Sequence, residues 1–306
     1  MIKLKPASDT ANLRTERVNP ASVDLDTKSA LDIVKIINRE DQKVAKTVKK
    51  ALPQIAKAVN AAEAAFRRGG RLIYVGTGTS GRMGALDASE SAPTFNTPPD
   101  QVQYLIAGGD EALGQAVEAD EDSRIAGEAD MAKRKPGRND LIVGLAASGR
   151  TPYTIAAVEF AKRKGAKTVA IVCNTGSPLA KAVDIAIEVE VGPEVVSGST
   201  RMKAGTAQKM VCNMITTGAF TRLGYVYGNL MVNLHLKNEK LVERGIRIVQ
   251  QVTGLSTDES WQAIENADDS VPLALVMVQA GISKAEAKRR LKAAGGSVRK
   301  AIAKRR

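Results

Sequence analysis

The residues best suited to chemistry in this sequence form a glycine-rich stretch that is followed by a carboxylate. Residues 76–84 read GTGTSGRMG, directly after the apolar run 72–75, and Glu90 follows shortly after. Glycines let a backbone turn tightly around an anion, the hydroxyls of Thr79 and Ser80 can donate to it, and amides that open a helix point towards it. A bound phosphate repels a carboxylate, so we expect Glu90 to act on another part of the same ligand.

A second loop repeats this pattern. Residues 144–152 read GLAASGRTP, again between an apolar run and a helix-like segment. Loops at the carboxyl ends of neighbouring parallel strands meet in one crevice, so Ser80 and Ser148 can bind the same ligand. Neither loop ends like a Walker loop, and the first lacks the acidic partner of a dinucleotide site. The pair favours a small phosphorylated metabolite over a nucleotide, and two tight turns without a ligand are the plainer alternative.

A sheet must hold these loops, and the hydrophobic pattern predicts one. Continuous aliphatic runs that alternate with helix-like segments are typical of parallel strands buried on both faces. Such runs lie at 72–75, 102–107, 140–146, 168–173 and 185–191. A helix is expected at 152–164, because Pro152 can begin it and Gly165 can end it. The sequence thus predicts an α/β fold with a three-layer, doubly wound parallel sheet.

Helical patterns flank the expected sheet. One runs from 27 to 68 with a break at Pro53, and a long one at 232–252 follows the sheet. Three short helices are expected at 257–265, 270–279 and 283–293, the last opened by a capping box of Ser283 and Glu286.

We divide the chain accordingly into three parts. An N-terminal helical segment covers 1–56, the α/β domain covers 57–225, and a C-terminal helical region covers 226–306. The last part resembles three-helix modules of the ubiquitin-associated (UBA) type, for which internal packing or a dimer contact is the plainer role.

Composition narrows the classes of function. The 306 residues are 43% hydrophobic and 25% charged, as in ordinary globular proteins. Aromatic residues make up only 3%, which argues against base stacking, and the net charge of +12 is spread along the chain except for two short basic runs. We expect no nucleic-acid partner, and a cationic surface is the plainer explanation of the charge.

Cysteine and histidine usage argues against metal chemistry. Cys173 and Cys212 lie far apart in apolar segments, which favours buried thiols over a disulfide. The single histidine, His235, has no partner cluster for zinc or for a Ser-His-Asp triad. We expect no metal. Because the N-terminus shows neither a secretory signal nor a membrane-spanning run, we also expect a cytoplasmic protein without a membrane partner.

The motifs together resemble a known family. The two loops look like the phosphate loops of sugar isomerase (SIS) domains, and longer motifs along nearly the whole chain resemble those of N-acetylmuramic acid 6-phosphate etherases. These motifs lie at 15–17, 19, 76–84, 87–90, 106–109, 116–118, 121–122, 146–152, 191–194, 198–208 and 228–231. Glucokinase-regulatory proteins share several of them but carry two SIS domains, for which this chain is too short.

The resemblance implies a carbon–oxygen lyase. Such an enzyme removes the lactyl ether at C3 of N-acetylmuramic acid 6-phosphate and gives N-acetylglucosamine 6-phosphate and D-lactate, in the catabolism or recycling of cell-wall amino sugars. By resemblance, Glu90 protonates the departing lactate and then activates water, and Glu121 is the base at C2. The resemblance implies no cofactor and suggests a homodimer.

The same resemblance implies the contacts with the substrate. The substrate's phosphate is expected to be bound by Ser80, Ser148 and Thr151, and Thr79 lies nearby in the sequence. Glu194 and Lys240 are candidates for further contacts, reaching the crevice from a second subunit, although a surface lysine is the plainer interpretation of Lys240. Many SIS isomerases open the second loop with Ser-Gln-Ser, whereas two alanines precede Ser148 here, which agrees with the etherase interpretation.

Two other functions stay open on the sequence alone. One is an SIS-type sensor that binds a sugar phosphate and regulates a partner without turnover, and the other is an aldose–ketose isomerase. A sensor needs the serine loops but has no need for both Glu90 and Glu121. The residues alone do not single out Glu121, because the acidic run at 118–122 would also suit a solvated helix face.

Overall fold

A five-stranded parallel sheet lies behind the two loops. The structure, a computed structural model, describes residues 13–115, 117 and 120–303. The strands are β1 (Leu72–Gly76), β2 (Val102–Ile106), β3 (Leu141–Ala146), β4 (Lys167–Val172) and β5 (Ile185–Glu188), in the order β2-β1-β3-β4-β5. All five predicted strands are confirmed, and all pairs are parallel.

Helices cover both faces of this sheet. Ile73 and Val75 pack in one apolar cluster with side chains of the helices after β2, β3 and β4, such as Met131 and Leu179. Tyr74 is buried too, and its hydroxyl reaches Asp87 on the helix after β1. Because alternate residues of a strand point to opposite faces, both faces are buried, and the predicted doubly wound α/β fold is confirmed.

Thirteen α-helices accompany the strands in the described part of the chain. They are α1 (Ala30–Lys50), α2 (Leu52–Arg67), α3 (Gly78–Phe95), α4 (Glu111–Gly114), α5 (Arg124–Lys133), α6 (Pro152–Arg163), α7 (Pro178–Ala182), α8 (Lys203–Leu223), α9 (Glu239–Thr253), α10 (Thr257–Asn266), α11 (Val271–Ala280), α12 (Lys284–Ala293) and α13 (Val298–Ile302). None of them is both long and apolar enough to cross a membrane.

The chain divides into two compact units. The sheet unit contains the described residues up to Ala88 together with Asp100–Thr216, and the helical unit contains Ser89–Pro99 together with the described residues from Thr217 onwards. Helices α1 and α2 belong to the sheet unit, where α2 contacts β1, β3 and β5. The break between them falls at Ala51 instead of Pro53, because a proline is tolerated in the first turn of a helix, where its missing N–H has no partner.

The helical unit has its own apolar cluster, built mainly from α9 to α13. The prediction of one long helix at 232–252 is wrong at its start, because α9 begins at Glu239. Asn238 sets this boundary, since its side chain accepts a hydrogen bond from the N–H of Leu241. Before it, Val232 and Leu234 are buried at a spacing of two, as in extended chain.

The three predicted short helices are confirmed as α10, α11 and α12, but the predicted capping box is only half formed. Ser283 accepts from the N–H of Glu286, whereas the Glu286 carboxylate pairs with Arg289 and Arg290 instead of returning to the cap. A complete capping box opens α10, where Ser256 and Glu259 bond reciprocally.

Candidate functional site

The two serine loops lie at the point where the strand order reverses. From β1 the chain moves outwards to β2, and from β3 it moves the other way to β4. Gly76 and Leu145 are paired in register, so the loops that leave β1 and β3 start side by side. In open parallel sheets the crevice at such a reversal is where ligands bind. The structure thus brings together the loops that the sequence predicted to share a ligand.

The first loop passes directly into α3, which lies close against the sheet. Thr79 and Ser80 occupy the first turn of this helix, whose N-terminus favours an anion. A Cβ atom added at Gly81 would lie 2.6 Å from Cγ1 of Ile106, and one at Gly84 would lie 2.7 Å from Cβ of Tyr74. Only glycine permits this approach, so the spacing of glycines after the loop holds α3 on the strands.

Ser80 is buried and contacts α8. Its hydroxyl donates to Oε1 of Gln208 over 3.0 Å, and Gln208 is only 1% exposed. Thr79 is half-buried, and a Cβ atom at Gly205 would lie 3.2 Å from its Cγ2 atom. Helix α8 therefore lies close to the first loop. Gln208 was not among the predicted site residues, although it ends the motif at 198–208.

The second loop makes a tight left-handed turn before α6. Gly149 has φ of +67°, and a Cβ atom there would lie 2.2 Å from Oγ of Ser177. Ser148 is half-buried, and its Oγ accepts from the N–H of Arg150 over 3.2 Å. Thr151 is buried and immediately precedes α6. Both predicted hydroxyls of this loop therefore stand at the N-terminus of a helix, as in the first loop.

Glu121 lies beside the second loop. It is half-buried in the turn before α5, and its backbone carbonyl accepts from the N–H of Tyr153, in the first turn of α6, over 3.2 Å. This bond places the backbone of Glu121 next to the helix that the second loop opens. Residues 116 and 118, which belong to the same motif, lie outside the described residues.

Glu90 lies on α3, the helix that begins with the first loop. It is exposed and belongs to the helical unit, whereas the part of α3 up to Ala88 belongs to the sheet unit. That part of the helix is fixed by Asp87, which accepts from the Tyr74 hydroxyl over 2.8 Å and from Nδ2 of Asn213 over 2.6 Å. Burial raises the pKa of Asp87, and these hydrogen bonds oppose the rise.

Glu194 caps helix α8. It is fully buried, and its carboxylate accepts from the N–H groups of Lys203 and Ala204 over 3.0 and 2.9 Å. Burial raises the pKa of Glu194, and these two bonds oppose the rise. Lys240 is exposed in the first turn of α9, in the helical unit. Contacts of Glu194 or Lys240 with a substrate stay predictions.

A buried ion pair anchors the start of α8. Nζ of Lys203 lies 2.7 Å from Oε2 of Glu40 on α1, and the two side chains are 1% and 2% exposed. Burial alone would raise the pKa of Glu40, but hydrogen bonds from Lys203, Lys43 and Asn19 outweigh it and lower this pKa to about 2. This pair could not be predicted from local patterns, because its members are 163 positions apart.

The N-terminal motif lies at the same edge of the sheet. Asn174, which follows β4, donates to Oγ1 of Thr15 over 3.2 Å and to the carbonyl of Ala147 over 3.0 Å. Asn19 donates to the carbonyl of Pro193 over 3.0 Å as well as to Glu40. The residues at 15–19 therefore link the loops that follow β3, β4 and β5.

Comparison with known proteins identifies the family. A protein of Vibrio parahaemolyticus named N-acetylmuramic acid 6-phosphate etherase 2 is 51% identical over 96% of this chain and 98% of its own length. One of Symbiobacterium thermophilum, named N-acetylmuramic acid 6-phosphate etherase, is 55% identical over 88% of this chain and 90% of its own. The chain belongs to the N-acetylmuramic acid 6-phosphate etherase family. It is therefore an enzyme, and the resemblance seen in the motifs is confirmed.

Two domain profiles match parts of this etherase-family chain. The profile of the glucokinase regulatory protein N-terminal SIS domain matches residues 54–162, and that of the SIS domain matches residues 122–218. Among solved structures, a phosphoheptose isomerase from Francisella tularensis is 20% identical, covers 62% of this chain and 100% of its own, and has a TM-score of 0.48.

Proposed function

We propose that the chain cleaves the lactyl ether of N-acetylmuramic acid 6-phosphate to give N-acetylglucosamine 6-phosphate and D-lactate. The observation that carries this proposal is the identity of about half of all residues, over nearly the whole chain, with proteins named for that substrate. The reaction belongs to the breakdown or recycling of cell-wall amino sugars. We further propose a homodimer in the cytoplasm that needs no cofactor.

The substrate's phosphate binds between the two loops in this proposal. Thr79 and Ser80 supply hydroxyls at the N-terminus of α3, and Ser148 and Thr151 supply them just before α6. Two helix N-termini directed at one dianion, with hydroxyl donors on both, suit a phosphate monoester that carries no nucleotide. The start of the loops at neighbouring strand ends supports this assignment.

The chemistry is an elimination followed by an addition. Opening of the sugar ring exposes an aldehyde at C1, which acidifies the proton on C2. The carboxylate of Glu121 removes that proton, the C3–O bond breaks, and its electron pair leaves with the lactate oxygen, which takes a proton from Glu90. Water then adds at C3 as Glu90 takes back a proton, and Glu121, after its proton has exchanged with solvent, delivers a proton to C2. Two carboxyl groups thus exchange all the protons without a histidine.

Regulation without turnover is the second candidate, because the match at 54–162 is to a domain of a regulatory protein. The names of the relatives favour turnover over regulation. An isomerase is the third candidate and would give a ketose as product.

The decisive experiment is incubation with N-acetylmuramic acid 6-phosphate in isotopically labelled water. We expect one D-lactate for each N-acetylglucosamine 6-phosphate, with solvent deuterium at C2 and solvent ¹⁸O in the C3 hydroxyl of the sugar. Label in the lactate hydroxyl, with none at C2, would contradict elimination. Tight binding without any lactate would support the sensor, and a ketose would support the isomerase.

A further inference from the structure

The side chain of Gln208 connects α8 to a hydroxyl of the first loop, and among the described residues its hydrogen bonds are incomplete. Its Oε1 accepts from the hydroxyl of Ser80 over 3.0 Å. Its Nε2 is buried, and no described residue accepts a hydrogen bond from it. Buried amide groups are normally satisfied on both atoms, so an unused donor beside a predicted phosphate ligand requires an explanation.

The hydrogen bond that Ser80 makes in the structure conflicts with its proposed role as a phosphate donor. A serine hydroxyl carries one hydrogen, and Ser80 gives it to Gln208. The oxygens of a phosphate dianion only accept hydrogen bonds. In this arrangement Ser80 can therefore direct only lone pairs at a phosphate, which would repel it.

Rotation of the Gln208 amide by about 180° resolves the conflict at Ser80 and gives Nε2 a partner, while Oε1 moves to the side on which no described residue bonds to the amide. Carboxamide oxygen and nitrogen have nearly the same size, so the rotation exchanges them without new space. Nε2 then donates to Oγ of Ser80, and the hydroxyl hydrogen of Ser80 turns towards the phosphate. The unused donor gains a partner, and the serine becomes a donor.

We propose that Gln208 is a positioning residue for phosphate binding, and that its amide donates to Ser80 when a sugar phosphate is bound. The inference rests on the phosphate site of the proposed function. It names a residue that acts through Ser80 and need not touch the ligand.

The surroundings of Gln208 fit a fixed backbone with a rotatable amide. The first turn of α8 is held by Glu194, which accepts from two backbone N–H groups, and by the buried pair of Lys203 and Glu40. Gly205, which precedes Gln208 on α8, lies against the side chain of Thr79. The amide itself has only the Ser80 bond among the described residues, so its rotation breaks one hydrogen bond and forms another.

The test is a double-mutant cycle on ligand binding, which does not depend on turnover. Calorimetry would measure the dissociation constant of N-acetylglucosamine 6-phosphate for the wild type, Gln208→Met, Ser80→Ala and the double variant. We expect each single change to weaken binding about tenfold, and the double variant to bind no worse than Ser80→Ala. Gln101→Met is the matched control and should bind like the wild type. Gln101 lies just before β2, at the end of that strand opposite to its carboxyl end.

Two outcomes would overturn the proposal. One is wild-type affinity in Gln208→Met, and the other is a double variant whose loss equals the product of the two single losses, which would mean that Gln208 acts independently of Ser80. If Gln208→Met does not fold, Gln208→Glu replaces it in the cycle, since a carboxylate accepts from Ser80 but cannot donate to it. A wild-type chain that releases lactate but shows no coupling refutes this inference alone, whereas one that binds no sugar phosphate refutes the shared phosphate site.

Discussion

The serine of the first loop and the serine of the second leave neighbouring strands, but different parts of the chain hold them. Ser80 is buried and bonded to Gln208, which is 128 positions away. Ser148 is half-buried and is bonded to the backbone of Arg150, two positions away. The first serine therefore depends on the placement of α8, whereas the second depends only on its own loop. A repeated motif thus does not imply a repeated environment.

The arginines of the two loops differ in the same way. Arg82 donates through Nε to the carbonyl of Ala112 over 2.9 Å and through Nη2 to that of Gln115 over 2.6 Å. It holds the end of α4, from which the chain continues towards Glu121. Arg150 is exposed. The arginine of the first loop is therefore built into the fold, whereas that of the second loop is exposed to solvent.

Each loop is associated with one carboxylate, Glu90 with the first and Glu121 with the second. Removing either carboxylate should have the largest effect on turnover. We expect Glu90→Gln and Glu121→Gln each to lower kcat for lactate release by about 10²- to 10⁴-fold, the usual contribution of a general acid or base. Affinity for N-acetylglucosamine 6-phosphate should change little, because both loops stay intact. Steady-state assays and calorimetry would measure the two quantities.

The control for this prediction is Asp122→Asn, which changes the exposed neighbour of Glu121. It should keep kcat within about threefold, because a surface carboxylate outside the mechanism contributes little. Equal losses in Asp122→Asn and Glu121→Gln would show that the acidic run acts only through its charge, and full turnover in Glu90→Gln would remove Glu90 from the mechanism.

The dependence of the first loop on α8 predicts a large loss of stability in Glu40→Gln. This change leaves the buried ammonium of Lys203 without its counter-charge, which typically costs about 3 to 5 kcal/mol. Urea unfolding would measure it. Asp268→Asn breaks a pair of exposed lysine contacts and should cost less than about 1 kcal/mol. Similar losses in the two variants would show that the buried pair does not anchor α8.

The same carboxylate should make stability depend on acid pH. The pKa of Glu40 falls from 4.5 to about 2 on folding, so its contribution is fully present above pH 4.5 and is lost as the pH falls towards 2. The contribution is at most about 3 kcal/mol. The difference in unfolding free energy between wild type and Glu40→Gln should shrink over this range, and a difference independent of pH would contradict the assignment.

Local patterns predicted the sheet and the loops, because five aliphatic runs and two glycine-rich turns are visible in short windows. The predictions failed where one local signal competed with another. Asn238 begins α9 although the apolar pattern continues back to Val232, and Glu286 bonds to the arginines of its own helix instead of completing a cap. Such competition depends on geometry that spacing alone does not give.

The part of the site that could not be predicted from the sequence consists of long-range pairs. Gln208 and Lys203 lie in the motif at 198–208, yet their partners Ser80 and Glu40 come from distant parts of the chain. A glutamine and a lysine in a helix would ordinarily be solvated, so only the fold reveals that they are buried. Glu121 was selected by resemblance, and its catalytic role stays a prediction, because only its backbone carbonyl is bonded to Tyr153.

Glycine substitutions would compare the backbones of the two loops. Gly149→Ala should cost about 2 to 3 kcal/mol, because φ of +67° and the Ser177 hydroxyl 2.2 Å from the new Cβ atom both oppose it. Gly78→Ala should cost only about 1 kcal/mol, since φ is +49° but the space is open. Gly137→Ala is the control, with open space and φ outside the left-handed region. Urea unfolding would rank the three, and a larger cost at Gly78 would contradict this account.

The two serines themselves should also differ in what they contribute to stability. Ser80→Ala leaves the buried amide of Gln208 without its one described partner, so it should lower the unfolding free energy by about 1 to 2 kcal/mol. Ser148→Ala removes a bond to the N–H of exposed Arg150, which water can replace, and should cost less than about 0.5 kcal/mol. Urea unfolding of both variants, without ligand, would measure the difference. A cost at Ser148 equal to that at Ser80 would show that Ser148 also depends on distant contacts, and the distinction between the two serines would then be lost.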